Sequence, residues 1–416
     1  MPDGLLARAR TAFDAAPPVG DSAYDHYCRA LGEELTSHWP EIARANAADV
    51  AAAQRLGMPP TLVERLRLTD AHRERMVALT GMTRRELREV RETEVPVSGA
   101  ARRVHRVPRP LGVVLMVYEA RPTVTVDGAL LPVAVGNAVL LRGGKETAAT
   151  NAALERAVHA ALRRAGLPTG LVSVLDDPQR RLLRALLKRP DQVDVLIPRG
   201  SPALVDHCRT SAIPLIASGG GVNHLYVHRS ADLDLAVRVT LDSKLPEPAG
   251  CTSVETLLVD RAVARDYLEA LARGLAGRET ALTLHTAPEL DALVPSALKT
   301  EPLAAHDLGR EFLDPVVAVV PVDDVGAALD HVRRHGSGHT EGVIARDQHV
   351  VDAYRRRADA AMVVVNGSLR LHDGPTLGLG TEIAIATGRL HVRGPVTLGA
   401  LVTHSYVTDG AGALRG

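Results

Sequence analysis

The spacing of apolar residues divides the chain into a helical first part and two later stretches in which strands and helices alternate. Over roughly the first ninety residues, apolar side chains recur at intervals of three and four, which predicts amphipathic helices. Residues 96–112 then alternate polar and apolar positions and carry prolines, a pattern typical of an edge hairpin or arm.

From residue 112 onward, short apolar runs alternate with amphipathic segments. This order predicts parallel strands covered on both faces by helices, because such strands are apolar throughout. The predicted strands are 112–118, 137–143, 171–175, 192–198 and 213–218, and the helices are 151–166, 178–188 and 202–211.

After the glycines at 219–221 the alternation restarts, which predicts a second α/β unit. Its predicted helices are 232–242, 261–276, 323–335 and 347–358, and its strands are 255–260, 281–285, 315–322, 341–346 and 361–366. His224 and His228 flank apolar residues of a further predicted strand and are interpreted as structural.

Length and composition narrow the class of protein. A chain of 416 residues is too long for one simple core, so we expect two or three domains. Lys plus Arg number 49 and Asp plus Glu number 49, so the zero net charge does not favour nucleic acid or an anionic membrane as a partner. No apolar run reaches the roughly 18 residues of a membrane span, and we expect a soluble cytoplasmic protein.

Two loops carry groups that suit a nucleotide. Gly200 and Ser201 follow a predicted strand and open a helix, a turn whose backbone N–H groups suit a pyrophosphate; an ordinary strand–helix turn is the alternative. Arg142 and Lys145 bracket two glycines at the end of another predicted strand, where parallel α/β sheets bind ligands. Two cations there suit a nucleotide phosphate, such as a 2′-phosphate; solvated charges on a loop are the alternative.

Two further residues are candidates for chemistry. Three cysteines, Cys28, Cys208 and Cys251, are too few and scattered for a disulfide framework or a zinc site, so no metal is expected. Cys251 lies in the proline-rich loop PEPAGCTSV, which fits a buried structural cysteine poorly and an accessible nucleophile better. Glu311 precedes an apolar strand and suits ribose hydroxyls; an ordinary surface acid is the alternative.

In their order along the chain, these parts resemble the aldehyde dehydrogenase superfamily and, within it, the γ-glutamyl phosphate reductases. The resemblance runs from about residue 20 to 407. It rests on VYEARPTVTVD (117–127), GNAVLLRGGKE (136–146), VLIPRGS (195–201), CTSVETLLV (251–259), EFLD (311–314), VNGS (365–368) and LGLGTEIAIATGRLHVRGP (377–395).

The resemblance implies an aldehyde dehydrogenase-like α/β fold with a Rossmann-like nucleotide domain, an α/β catalytic domain and a small β oligomerisation element. It assigns residues 1–225 to the nucleotide domain, with 366–395 returning to it, and 226–365 to the catalytic domain. Strands within 96–112 and 396–409 are expected to pair with another subunit and to give a homo-oligomer, a dimer or a tetramer.

The resemblance also implies a reaction. NADPH would reduce L-glutamyl 5-phosphate to glutamate 5-semialdehyde after Cys251 forms a thioester and phosphate leaves. In this scheme Arg142 and Lys145 contact the ribose-phosphate of the nucleotide, Gly200 and Ser201 its pyrophosphate, and Glu311 the nicotinamide ribose. The acyl phosphate is a small molecule that an upstream kinase would supply.

The same resemblance places Glu119, Arg121, Thr123 and Asn223 near the substrate. Hydrolytic aldehyde dehydrogenases have a glutamate that activates water; Ala217 occupies the corresponding place here, which favours reduction, because water would only destroy the thioester.

Several positions depart from the family pattern. Thr123 replaces an asparagine, Asn223 stands where a cysteine is often found, and Leu369 and Leu371 replace threonine and phenylalanine. These departures leave open a paralogue that reduces another acyl phosphate or an acyl thioester in specialised metabolism. A non-catalytic protein with the same fold is a third hypothesis, and the retention of Cys251 argues against it.

Overall fold

The computed structural model describes residues 2–96, 103–119, 121–175, 181–410, 412 and 414. It divides into two compact units. The first unit contains residues up to Ser218 together with Gly378–Ala384 and the residues from Pro395 onward, and the second contains Gly219–Leu377 and Ile385–Gly394. No helix among the described residues is long and apolar enough to cross a bilayer.

The first unit begins with the predicted helices and continues into strands. Asp21 caps the second helix by accepting a hydrogen bond from the Ala23 backbone N–H at 2.8 Å. The elements are α1 Pro2–Asp14, α2 Ser22–Ser37, α3 Trp39–Arg55, α4 Pro60–Leu66, α5 Asp70–Glu86, β1 Thr93–Val95, β2 Val104–Pro110, β3 Val113–Tyr118, α6 Thr123–Ala134, β4 Ala138–Arg142, α7 Ala148–Arg164, β5 Val172–Val174, α8 Arg181–Leu186, β6 Val195–Arg199 and α9 Pro202–Arg209.

A parallel sheet in the order β5-β4-β3-β6 forms the centre of the first unit. All six residues of β3 are buried, as its unbroken apolar run predicts. The predicted strand at 213–218 does not form; only isolated bridges at Leu215 and Ser218 join this segment to β6. Pro214 lacks the N–H that a regular ladder needs.

The second unit is built around a seven-stranded sheet and its crossover helices. Its elements are β7 Asn223–Val227, α10 Leu233–Lys244, β8 Val254–Asp260, α11 Ala264–Leu275, β9 Thr283–Thr286, β10 Lys299–Pro302, β11 Val316–Val322, α12 Val325–His335, β12 Thr340–Ile344, α13 Gln348–Arg357, β13 Met362–Val365 and α14 Gly374–Leu377. Strand β10 was not predicted, because all four of its residues are exposed and lack the apolar signal.

These seven strands form one parallel sheet in the order β10-β9-β11-β8-β7-β12-β13. The predicted domain boundary at 225 therefore falls inside β7, which pairs with β8 and β12, and the units divide at 218 instead. Of the segment 366–395, which was predicted to return to the first unit, only 378–384 and Pro395 do so. In a parallel sheet the strands begin at the same edge, so the segments before β7, β8 and β12 lie side by side.

The last elements are β14 Ile385–Ala386, β15 Gly394–Pro395 and β16 Val402–Thr408. Strand β16 pairs antiparallel with β2, from Val402 opposite Pro110 to Thr408 opposite Val104, and β1 pairs with the other edge of β2. The two segments expected to form strands thus pair within the chain; residues 97–102 lie outside the described residues.

Candidate active site

Cys251 differs from the other two cysteines in its surroundings. It lies in the turn before β8, where the Gly250 backbone N–H donates to the Glu247 carbonyl at 2.9 Å and Ser253 to Gly250 at 3.0 Å. Its side chain is partly exposed, whereas Cys28 and Cys208 are buried. Burial raises the pKa of the Cys28 thiol to about 12 and that of Cys208 to about 11, which makes both poor nucleophiles.

Asn223 holds the backbone of the Cys251 turn in place. Its side-chain Nδ2 donates to the carbonyl oxygens of Cys251 and Ser253 at 2.8 and 2.7 Å, and its Oδ1 accepts from the Thr340 N–H at 3.1 Å. The residue is fully buried, and both of its amide hydrogens are engaged. Asn223 thus contacts the turn that carries Cys251. Its place near the substrate stays a prediction.

Two glycines let the segment before β7 approach the site residues closely. A Cβ on Gly221 would lie 1.6 Å from the Cys251 carbonyl oxygen, and one on Gly220 would lie 1.9 Å from Glu311 Oε2. Glu311 Oε1 accepts a hydrogen bond from the Gly221 N–H at 2.9 Å. The glycine segment thus brings together Cys251 and Glu311, which are 60 positions apart in sequence.

Lys244 and Glu255 form a buried ion pair that the sequence pattern does not predict. Lys244 Nζ lies 3.0 Å from Glu255 Oε2, and both side chains are essentially inaccessible. The same carboxylate oxygen accepts from the Phe312 N–H at 3.0 Å, next to Glu311 in sequence. The pair therefore connects the end of α10, the strand after Cys251 and the turn that carries Glu311. A signal was present in the sequence, since Glu255 is a charged residue in the mostly apolar strand VETLLVD.

The first unit brings together Glu119 with Gly200 and Ser201. The Glu119 carboxylate accepts from the Ser201 N–H at 2.8 Å and from the Ser201 hydroxyl at 3.3 Å. A Cβ on Gly200 would lie 2.5 Å from the same carboxylate. The turn does bind an anionic group, as its position before α9 predicts, but that group is Glu119. A pyrophosphate could accept a hydrogen bond from the Ser201 N–H only after Glu119 has moved away.

The remaining candidates of the first unit differ in exposure. Arg142 ends β4 and is buried, while Lys145 is exposed in the short turn that follows. The expected pair of loop cations is therefore one buried and one accessible cation. Arg121 and Thr123 are half-buried at the start of α6.

Replacing Asn223 with aspartate is expected to lower kcat by about ten- to a hundredfold, because a carboxylate cannot donate to the Cys251 and Ser253 carbonyls. The rate of Cys251 alkylation by iodoacetamide should change as well. Asn366→Asp is the matched control, since the Asn366 side-chain amide forms hydrogen bonds with the Ala345 backbone at the carboxyl ends of β12 and β13, away from Cys251. Equal effects of the two changes would contradict a role in positioning the turn.

Comparisons with known proteins show the family and the fold of the chain. Residues 35–297 match the model of the aldehyde dehydrogenase family, and the chain belongs to that family. It is 39% identical to the γ-glutamyl phosphate reductase of Chloroflexus aggregans, with 97% of this chain and 96% of the relative covered, and 38% identical to that of Salmonella agona, with 99% of both covered. The crystal structure of γ-glutamyl phosphate reductase from Thermotoga maritima is 29% identical, with a TM-score of 0.90 and 100% of both chains covered. The predicted resemblance and fold class are confirmed.

Proposed function

We propose that this protein reduces L-glutamyl 5-phosphate to glutamate 5-semialdehyde, with NADPH as the reductant and phosphate as the second product. Relatives that carry the name γ-glutamyl phosphate reductase match nearly the whole chain. The observation that carries the proposal is the partly exposed Cys251, held before β8 by Asn223 and adjoining the glycine segment that Glu311 also contacts.

Cys251 acts as the nucleophile. Its Sγ forms a bond to the acyl carbon while the bond from that carbon to the phosphate oxygen breaks, which yields a thioester and inorganic phosphate. The Cys251 backbone N–H stabilises the oxyanion of the tetrahedral intermediate. Reduction to the aldehyde level then releases glutamate 5-semialdehyde and restores the thiolate.

The residues present suit a pyridine nucleotide, the cofactor that this family uses. Glu311 offers a carboxylate to the nicotinamide ribose, and the exposed Lys145 offers a cation to a 2′-phosphate. Arg142 adds a buried positive charge at the end of β4, and Gly200 and Ser201 form the pyrophosphate turn once Glu119 has moved away. When bound, the reduced nicotinamide supplies the hydride.

The reverse reaction tests the proposal. Glutamate 5-semialdehyde, NADP and phosphate are expected to give a rise in nicotinamide absorbance that depends on all three. Absence of this reaction, together with turnover of another aldehyde, would instead favour a paralogue with a different acyl substrate.

Lys145→Ala is expected to raise the KM for NADPH by about ten- to a hundredfold while the KM for NADH changes little. A charge-assisted contact to the 2′-phosphate contributes roughly 1.5–3 kcal/mol, and NADH lacks that group. Lys188→Ala removes an exposed lysine from another loop of the first unit and serves as the control. Equal increases for the two cofactors would contradict the assignment of Lys145.

We further propose a homo-oligomer, a dimer or a tetramer, formed through the edge of β16. Among the described residues this edge has no strand neighbour, and Tyr406 is 69% exposed on it. Light scattering of the purified protein gives the subunit number.

An acyl phosphate is made by phosphorylation of a carboxylate, so the substrate implies an upstream kinase.

A further inference from the structure

The second unit contains a cavity of about 240 Å³ lined mostly by polar groups. It lies between the ends of α12 and α13, the segment before β12 and the segment 387–393. The residues that matter for its chemistry are Arg333, Arg357, Arg389, Arg393, Asp359 and Glu341.

The positive charges of this cavity exceed the negative ones. Arg393 Nη1 lies 2.5 Å from Asp359 Oδ1, and Arg389 donates to the other oxygen of the same carboxylate. These contacts hold the pKa of Asp359 below its usual value, so it is ionised. Arg393 Nε is buried without a hydrogen-bond partner among the described residues. One carboxylate therefore serves two guanidinium groups and leaves donors for a second anion.

The other cavity residues do not correct this excess. Glu341 lies 3.1 Å from the imidazole of the fully buried His224 and is engaged there. Arg357 forms no ion pair with a described residue, and Arg333 pairs with Asp330 on its own helix. An incoming anion would thus meet guanidinium groups whose planar forks match the two oxygens of a carboxylate.

The cavity adjoins the segment that positions Cys251. Ser337, which lines the cavity, accepts a hydrogen bond from the Val222 N–H at 3.0 Å through its hydroxyl. The next residue, Asn223, holds the Cys251 carbonyl. Strand β12 lies two strand positions from β8, with β7 between them, and two strand spacings are about 10 Å.

A glutamyl group attached to the Cys251 sulfur has suitable dimensions for this separation. Its five-carbon chain spans about 5 Å when extended. A charge-assisted hydrogen bond from its far carboxylate to a guanidinium adds about 3 Å.

We infer that the arginine cavity binds the α-carboxylate of the substrate and thereby selects glutamyl over uncharged acyl groups. This inference rests on the proposed function, because it names the part of the glutamyl substrate that the cavity recognises. Arg393 forms the central contact, Asp359 orients it, and Arg357 supplies additional positive charge.

The reverse reaction with two aldehydes tests this inference. Glutamate 5-semialdehyde carries the carboxylate, and pentanal has the same five-carbon chain without charged groups. Arg393→Ala should lower kcat/KM for glutamate 5-semialdehyde by about ten- to a hundredfold, mainly through KM, and change that for pentanal less than twofold. Arg357→Ala should shift the same ratio in the same direction and provides a second variant if Arg393→Ala does not fold.

Arg346→Ala is the control, since Arg346 pairs with Asp232 beyond the other end of β12 and should leave both aldehydes unaffected. Equal losses on the two aldehydes, or a selective rise in the KM for phosphate, would overturn the carboxylate assignment. If the parent protein is active on glutamate 5-semialdehyde and neither arginine variant changes kcat/KM for this aldehyde, the inference alone is overturned. A parent protein without that activity would overturn the proposed function and the inference together.

Discussion

Cys251→Ser is expected to lower kcat by at least about three powers of ten, which corresponds to about 4 kcal/mol of barrier. A serine hydroxyl ionises far less readily than a thiol near neutral pH, so the thioester step is lost. The fold should persist, because Cys251 is partly exposed and the turn is held by backbone contacts and by Asn223. Steady-state rates of the reverse reaction measure the effect.

Cys28→Ser and Cys208→Ser are the controls for this loss. Both residues are buried in the first unit, so their replacement should cost stability and leave the chemical step intact. Nucleotide affinity, measured by titration, should stay within about twofold in the Cys251 variant. A Cys251→Ser protein with activity within tenfold of the parent would exclude covalent catalysis by this residue.

Lys244→Met is expected to lower the free energy of unfolding by about 3–5 kcal/mol, because it leaves the Glu255 carboxylate buried without its partner. The double variant Lys244→Met/Glu255→Leu should recover most of this loss, since no buried charge then remains. Arg261→Ala, which breaks the exposed pair with Asp323, should cost less than about 1 kcal/mol. Urea denaturation of the four proteins gives the comparison.

The pH dependence of the Lys244→Met variant adds a second readout. Burial raises the pKa of Glu255, the nearby Lys244 opposes that rise, and removal of the lysine raises the pKa further. A carboxyl whose pKa is raised on folding contributes stability in full below its unfolded pKa and loses that contribution as pH rises through the folded pKa. The variant should therefore lose up to about 1.4 kcal/mol per pH unit between pH 5 and 8, relative to the double variant. Parallel pH profiles of the single and double variants would show that Glu255 does not take up a proton.

Most of the architecture could be predicted, because apolar periodicity records which face of each element is buried. This periodicity predicts strand β3 and helix α7. It also favours a structural role for His224, which the structure places in a buried contact with Glu341. Errors occurred where local composition misleads. The apolar run 213–218 predicts a strand, but Pro214 interrupts it, and only single residues of the run form bridges to β6. Strand β10 is polar and gives no apolar signal, and its pairing with β9 makes it a strand.

The candidate site was less predictable, because its contacts join distant parts of the chain. The sequence indicated Cys251 and Glu311 separately, and only the glycines at 220 and 221 show how they come together. The contacts of Glu119 with Ser201 and of Lys244 with Glu255 depend on side-chain directions that periodicity does not record.

One departure from the family pattern now has a structural explanation. Leu369, where relatives have threonine, is fully buried in one of the apolar clusters of the second unit and packs beside Gly342. A change at this position alters core packing, so it gives no support to a paralogue with a different acyl substrate. Leu371 is 41% exposed, and the structure does not explain its replacement of phenylalanine.

The pairing of β2 with β16 has a consequence for protein synthesis. Arg106 on β2 and His404 on β16 contact each other across 298 positions, and the whole of Gly219–Leu377 is translated between them. At a translation rate of 5–20 residues per second, one edge of β2 stays unpaired for roughly 15–60 s after its synthesis. Asn137 likewise waits for the Leu401 carbonyl, to which it donates at 2.9 Å. The nascent first unit therefore exposes an unpaired, aggregation-prone strand edge until translation is nearly complete. Chaperone binding during this interval should determine the yield of native protein.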